Sequence, residues 1–196
     1  MALAQMHWQP VSLHQVVLAW LKAERASNAV LAQVLATNPD AARLLDTPDL
    51  QNADQNWWRL RLLYLARWVF LVELPPDTRW YEVRNLRDDD LPSLRAVNYH
   101  EWTDPADQNE LVKVGARKHF QLTNPPSEWG SIVLWGHAKQ GPFTIIEGNH
   151  RLTAYVGGGG VGLDIPVLVG LSPLKCHWHI LDASPLLMQD LIPKGP

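Results

Sequence analysis

The chain has one cysteine, Cys176, in 196 residues, so no disulfide forms within it and the fold must rest on its hydrophobic core. It also lacks an excess of positive charge. At a formal net charge of −3 it presents no broad basic field, and non-specific binding to nucleic acid has no electrostatic source. No apolar run approaches the ~18 residues of a membrane span. The opening Met1-Ala-Leu-Ala-Gln-Met-His-Trp8 has no basic flank leading into an apolar stretch, as a signal segment would. These absences predict a soluble, cytoplasmic protein. There is no internal repeat, and the only low-complexity tract is Gly157-Gly-Gly-Gly160. What is present is a hydrophobic content of 46%, enough to bury a core as one domain or as one domain with a helical extension.

The first 76 residues read as helical. Ser12-Leu-His-Gln15 has the form of a capping box, and Leu13, Val16, Val17, Trp20 and Leu21 follow at helical spacing. Asn38-Pro39-Asp40 and Thr47-Pro48-Asp49 divide the region into short helices. The spacing predicts the longest helix over 52–72, with Trp57, Leu60, Leu63, Tyr64, Trp68 and Leu71 as its packing stripe, while Arg59 and Arg67 exclude a membrane span. Pro75-Pro76 ends this helix and marks the boundary of a second segment, 77–196.

In that second segment, Trp80-Tyr-Glu-Val-Arg-Asn-Leu86 reads as a strand and 108–120 as a helix with Leu111, Val112, Gly115 and His119 on one side. Ser131-Ile-Val-Leu-Trp-Gly136 and Phe143-Thr-Ile-Ile-Glu147 form a hairpin about a turn at Gly141-Pro142. Asp164-Ile-Pro-Val-Leu-Val-Gly170 and Lys175-Cys-His-Trp-His-Ile-Leu-Asp182 read as further strands. The fold class predicted is α/β, a mixed α+β arrangement.

The second strand of the hairpin runs through Gly148 directly into a helix that opens Asn149-His150-Arg151. Unpartnered N–H groups and the positive end of the dipole at a helix start suit a phosphate. Gly148 allows close backbone approach, and His150 and Arg151 add donors. Glu147-Gly148-Asn149-His150-Arg151-Leu152-x-Ala154 resembles the Gly-x-His-Arg or Gly-x-Arg-Arg box of the ParB/sulfiredoxin-like superfamily, and the order of strand, helix, hairpin, box, helix and strand over residues 78–182 is similar to that superfamily. The resemblance implies a ParB/sulfiredoxin-like domain in which Gly148, Asn149, His150 and Arg151 hold nucleotide phosphates: those of CTP as in ParB proteins, or of ATP or ADP as in free serine kinases and sulfiredoxin, with Mg2+ as the cation.

Two departures narrow that reading. Where sulfiredoxin carries its catalytic cysteine this chain has Asn149, so reduction of a sulfinic acid lacks its nucleophile. Compared with ParB, His150 stands in place of an arginine, and the roughly 45 residues after Arg151 hold glycine loop and strand in place of a DNA-reading helix-turn-helix.

Glu101, in Asn98-Tyr-His-Glu-Trp102, resembles the glutamate that serves as base in free serine kinases; Glu147 is the alternative carboxylate, as base, magnesium ligand or partner of Arg151. His177 and His179, two apart on a predicted strand, face the same way and are weak metal candidates, since no third ligand sits at a recognised spacing. Of ten tryptophans, Trp57, Trp58 and Trp68 fit helix packing, while Trp102, Trp129 and Trp135 fall in or beside the loops around the box, where a ring stacks on a base or simply packs.

The expected function is therefore a nucleotide-dependent phosphotransferase (kinase) or nucleotide hydrolase acting on a small-molecule hydroxyl. The alternative is a nucleotide-sensing module whose helical extension engages a partner protein or a second copy. The acidic balance and the lack of a clustered acidic metal site count against a nuclease.

Overall fold

A computed structural model describes residues 3, 6–25, 27–87, 90, 93–95, 131–149, 151–152 and 166–176. The Ser12 capping box forms as expected, each side chain bonding the other's backbone N–H, and starts α1 (Leu13–Glu24). Asn28 caps α2 (Ala29–Thr37), and Asn38 ends α2 while its Oδ1 accepts from Asp40 and Ala41 to start α3 (Pro39–Asp46), with Pro39 at the position where a missing N–H costs nothing. Asn52 caps the long α4 (Ala53–Glu73). This helix breaks stride at Arg67, whose φ of −143° and ψ of 37° are not helical. At this break the Asn28 side-chain amide donates to the Ala66 carbonyl at 3.3 Å, supplying a donor from outside the helix.

The strands are β1 (Gln9–Val11), β2 (Arg79–Val83), β3 (Leu94–Arg95), β4 (Ile132–Gly136), β5 (Phe143–Glu147) and β6 (Val167–Leu171). They form one mixed sheet in the order β1-β2-β6-β4-β5-β3. The pairs β1–β2, β2–β6 and β4–β5 are antiparallel, and β4–β6 and β3–β5 are parallel. Every residue of β4 is buried, as a strand covered on both faces requires. Gly170 in β6 is there for space: a Cβ would stand 2.9 Å from both Trp80 and Trp135.

The mixed α+β class and the β4–β5 hairpin agree with the sequence reading. Other elements differ. Segment 1–76 is not wholly helical, because β1 supplies an edge of the sheet, and its residues Trp20 and Leu63 share one hydrophobic core with Ile132, Ile145 and Val169. The strand read over 80–86 ends at Val83, and Asn85 turns the chain with a φ of 63°. The strand read over 164–170 runs from Val167 to Leu171. Lys175 and Cys176 are not in a strand, and 177–182 lies outside the described residues, as does the helix read over 108–120.

The largest correction concerns α4. Of the stripe assigned to packing, only Leu63 is fully buried; Trp57, Leu60, Tyr64 and Trp68 are exposed, and so is Trp58. The helix turns Asn56, Arg59, Leu62, Leu63 and Phe70 inward. Arg59, read as a polar interruption, is fully buried because its guanidinium finds four acceptors: the Leu44 and Asp49 carbonyls at 3.0 and 2.7 Å, Asn56 Oδ1 at 2.7 Å and Gln55 Oε1 at 3.3 Å. That network ties α3 and the turn after it to α4 and compensates most of the guanidinium's burial, Nε alone being left without an acceptor.

Candidate functional site

At the end of β5 the chain leaves the sheet at Gly148, whose φ of +97° belongs to the left-handed region. A Cβ there would press on Ile132 Cγ1 at 3.0 Å and on Arg151 Nη2 at 3.3 Å. The Leu152 N–H closes a helical turn onto the Gly148 carbonyl at 2.9 Å. Asn149 folds back, its Nδ2 donating to the Ile145 carbonyl at 3.1 Å. Arg151 reaches back over Gly148 and donates from Nη2 to Glu147 Oε1 at 2.7 Å. The sequence-predicted residues Glu147, Gly148, Asn149 and Arg151 thus form one continuous turn. His150, Glu101, His177 and His179 lie outside the described residues, together with Trp102, Trp129 and the Gly157-Gly160 tract.

Glu147 also faces the helices. Arg67, at the break in α4, donates from Nε to Glu24 Oε1 and stands with Nη2 4.0 Å from Glu147 Oε2. Glu24, the last residue of α1, is completely buried, and its Oε1 accepts from Trp20 Nε1 at 3.2 Å. Its Oε2 is buried with no hydrogen-bond partner among the described residues, and the Glu147 carboxyl is the neighbouring group it acts on. Two carboxyl groups can satisfy each other only if one keeps a proton. Burial first, then the Glu24 hydrogen bond and charge, push the Glu147 pKa up to about 8, against the opposing pull of Arg151 and Arg67.

The cluster therefore holds two guanidiniums and two carboxyls, with Arg151, Arg67 and Glu147 only partly open to solvent. Sequence reasoning missed Glu24 and Arg67. Glu24 continues the buried face of α1 beyond Val17, Trp20 and Leu21, and a charged residue at a core position is the signal that would have found it.

The remaining candidates resolve differently. Trp135 is a fully buried core residue of β4, its Nε1 donating to Thr78 Oγ1 at 3.4 Å, and is not a stacking platform. Cys176 is buried, gives its thiol to the Glu73 carbonyl at 3.3 Å, and has its pKa pushed up to about 12 by burial and by Glu73. A thiol so held is no nucleophile. Among the described residues no group of three or more His, Cys, Asp and Glu side chains is arranged to hold a metal ion, and no helix is long and apolar enough to cross a membrane. Cavities of about 380 Å3 beside Arg84 and Arg87 and of about 250 Å3 between α1 and α4 lie away from the box.

Comparison of the chain with protein-family models, with curated proteins and with solved structures finds no match.

Proposed function

We propose that the chain binds the phosphates of a nucleotide at the Gly148 turn and acts as a nucleotide-dependent phosphotransferase or nucleotide hydrolase on a ParB/sulfiredoxin-like domain. The observation that carries this reading is the arrangement at the end of β5, where Arg151 and Arg67 flank a carboxyl whose pKa stands near 8. A phosphate offers Arg151 a stronger, bidentate partner than a largely protonated Glu147 does. Glu147, once ionised, is a stronger base than an ordinary glutamate and suits removal of the proton from an acceptor hydroxyl. His150 is the further phosphate donor in this proposal, and Glu101 the competing base.

Magnesium does not fit as a ligand of the described cluster. A dication would meet two guanidiniums and a carboxyl that holds its proton at neutral pH. No step is therefore assigned to it.

The test is nucleotide affinity and turnover in three variants. Arg151→Ala should weaken binding of ATP, ADP or CTP by about 1.5–3 kcal/mol while the protein stays folded. Glu147→Gln should lower turnover by roughly 100-fold or more at nearly constant affinity. If Glu101→Gln does so instead, the base is Glu101. Unchanged affinity in folded Arg151→Ala removes the phosphate site altogether.

One observation favours the sensing alternative. Arg67 and Glu24 couple the box to the break in α4 and the end of α1, so a ligand that draws Arg151 off Glu147 alters the contacts of both helices. Tight nucleotide binding without turnover across a panel of hydroxyl acceptors would decide for that reading.

A further inference from the structure

The cavity of about 250 Å3 between α1 and α4 has apolar walls. They come from Leu13 and Val17 of one helix and from Trp57 and Leu60 of the other, pairs four and three residues apart that each share a helix face. Its rim is open and its floor is closed: Leu13, Trp57 and Leu60 are 38–50% exposed, whereas Val17 and Arg59 are buried. Arg59 makes this more than a gap in packing. Its guanidinium is wholly shielded from solvent, yet every acceptor it meets is neutral, two backbone carbonyls and the amide oxygens of Gln55 and Asn56. Asp49 gives Arg59 only its backbone carbonyl, while its carboxylate accepts from the Gln51 N–H at 2.9 Å. Nε is left with no acceptor at all. A buried cation with neutral partners and an idle N–H lacks a counter-ion.

We propose that this cavity binds a small carboxylic acid with an apolar body, its carboxylate drawn to Arg59 and its ring or short chain held by Leu13, Val17, Trp57 and Leu60. The carboxylate supplies what Arg59 lacks, a negative charge and an acceptor for Nε–H. His14, half-buried on α1, lines the same cavity and adds a second donor. Among the described residues that line the cavity there is no Asp or Glu to repel an anion. Size narrows the choice further. An apolar cavity of ~150 Å3 is enough for a benzene ring, so the larger volume here takes a ring or a short chain together with its carboxylate and leaves no room for a long acyl chain. It is also below the ~300–1,000 Å3 of sites for larger ligands, and it shares no residue with the turn at Gly148, so this is a site apart from the proposed nucleotide site.

Calorimetric titration of the full chain with phenylacetate or with hexanoate should show saturable binding at one site. The neutral isosteres phenylacetamide and hexanamide should bind at least about tenfold more weakly, because they bring no charge to Arg59. Ala53, exposed at the start of α4, also lines the cavity, and Ala53→Phe should fill it and abolish the titration, with an unchanged melting midpoint reporting that the fold is kept. Arg59→Lys keeps the charge but loses the planar fork and its Nε–H, and should weaken binding of the acids by about tenfold or more. Should that variant fold poorly, the comparison of acid with amide and the Ala53→Phe variant decide the matter, since neither disturbs the buried network. A chain that takes up neither acid at millimolar concentration overturns the proposal, as does equal affinity for acid and amide. So does binding that survives Ala53→Phe, or binding lost in Arg151→Ala, which would place the acid at the Gly148 turn.

Discussion

A carboxyl that releases its proton near pH 8 has exchanged water for a buried neighbour of its own kind, and Glu147 has done so by facing Glu24. The direction of this shift sets the pH dependence of stability. Because the pKa is raised on folding, the native state holds the proton more tightly than the unfolded chain. The stabilisation is fully present below the unfolded value, near 4.5, and is lost as pH rises through about 8. Thermal melts should therefore show a midpoint that declines between pH 5 and pH 8, and Glu147→Gln, a permanent stand-in for the protonated acid, should flatten that slope. Gly148 makes a second residue-scale demand. At a φ of +97°, with Ile132 and Arg151 close by, Gly148→Ala should cost about 1–3 kcal/mol in a denaturant titration, and it should do so even if no nucleotide binds.

Between elements, single polar side chains act as fasteners. Arg59 bonds four acceptors from three places in the helical segment, and burial, only partly opposed by Asp49, lowers its pKa. Removing it takes the donor from two partly buried backbone carbonyls and from the Asn56 side chain. Arg59→Ala should destabilise the fold by roughly 1–3 kcal/mol, the scale for leaving buried neutral acceptors unpaired, as read by the urea midpoint. Glu24 fastens α1 to the break in α4 and, through Glu147, to the sheet. Glu24→Ala should cost about 1–3 kcal/mol for the partners it leaves unsatisfied, and it should also change nucleotide affinity if Arg67 and Glu147 serve the box. Equal affinity in Glu24→Ala and the parent would separate the fastener from the site.

For the molecule as a whole, the helices and the sheet share one core among the described residues, so binding of the proposed nucleotide at the end of β5 would stabilise both together. Binding that favours the native state raises the melting midpoint with ligand concentration. A panel of ATP, ADP and CTP should reveal the preferred base as the largest upward shift, which Arg151→Ala should abolish.

Much of this was legible in the residues themselves. The capping side chains of Ser12, Asn38 and Asn52 mark helix starts because each satisfies N–H groups within the next few residues. The hairpin and its run into Gly148 follow from continuous β-rich segments around a Gly-Pro turn, and the candidate residues Glu147, Gly148, Asn149 and Arg151 stay together because they are neighbours in the chain. Local bonding decides such features, and local sequence reports them. The two-residue β3 and three-residue β1 carry too little pattern to be read alone, and they exist because partner strands supply their hydrogen bonds. Which side of α4 faces inward was equally out of reach: tryptophans outrank arginine in hydrophobicity, yet Arg59 lies inside because four acceptors converge on it, while Trp57 and Trp68 lie outside. The pairing of Glu24 with Glu147 spans 123 residues, 147 less 24, and no periodicity connects them. Only the packing of α1 and α4 against the end of β5 brings those charges together, since long-range contact is decided by how elements stack and not by the residues on either side.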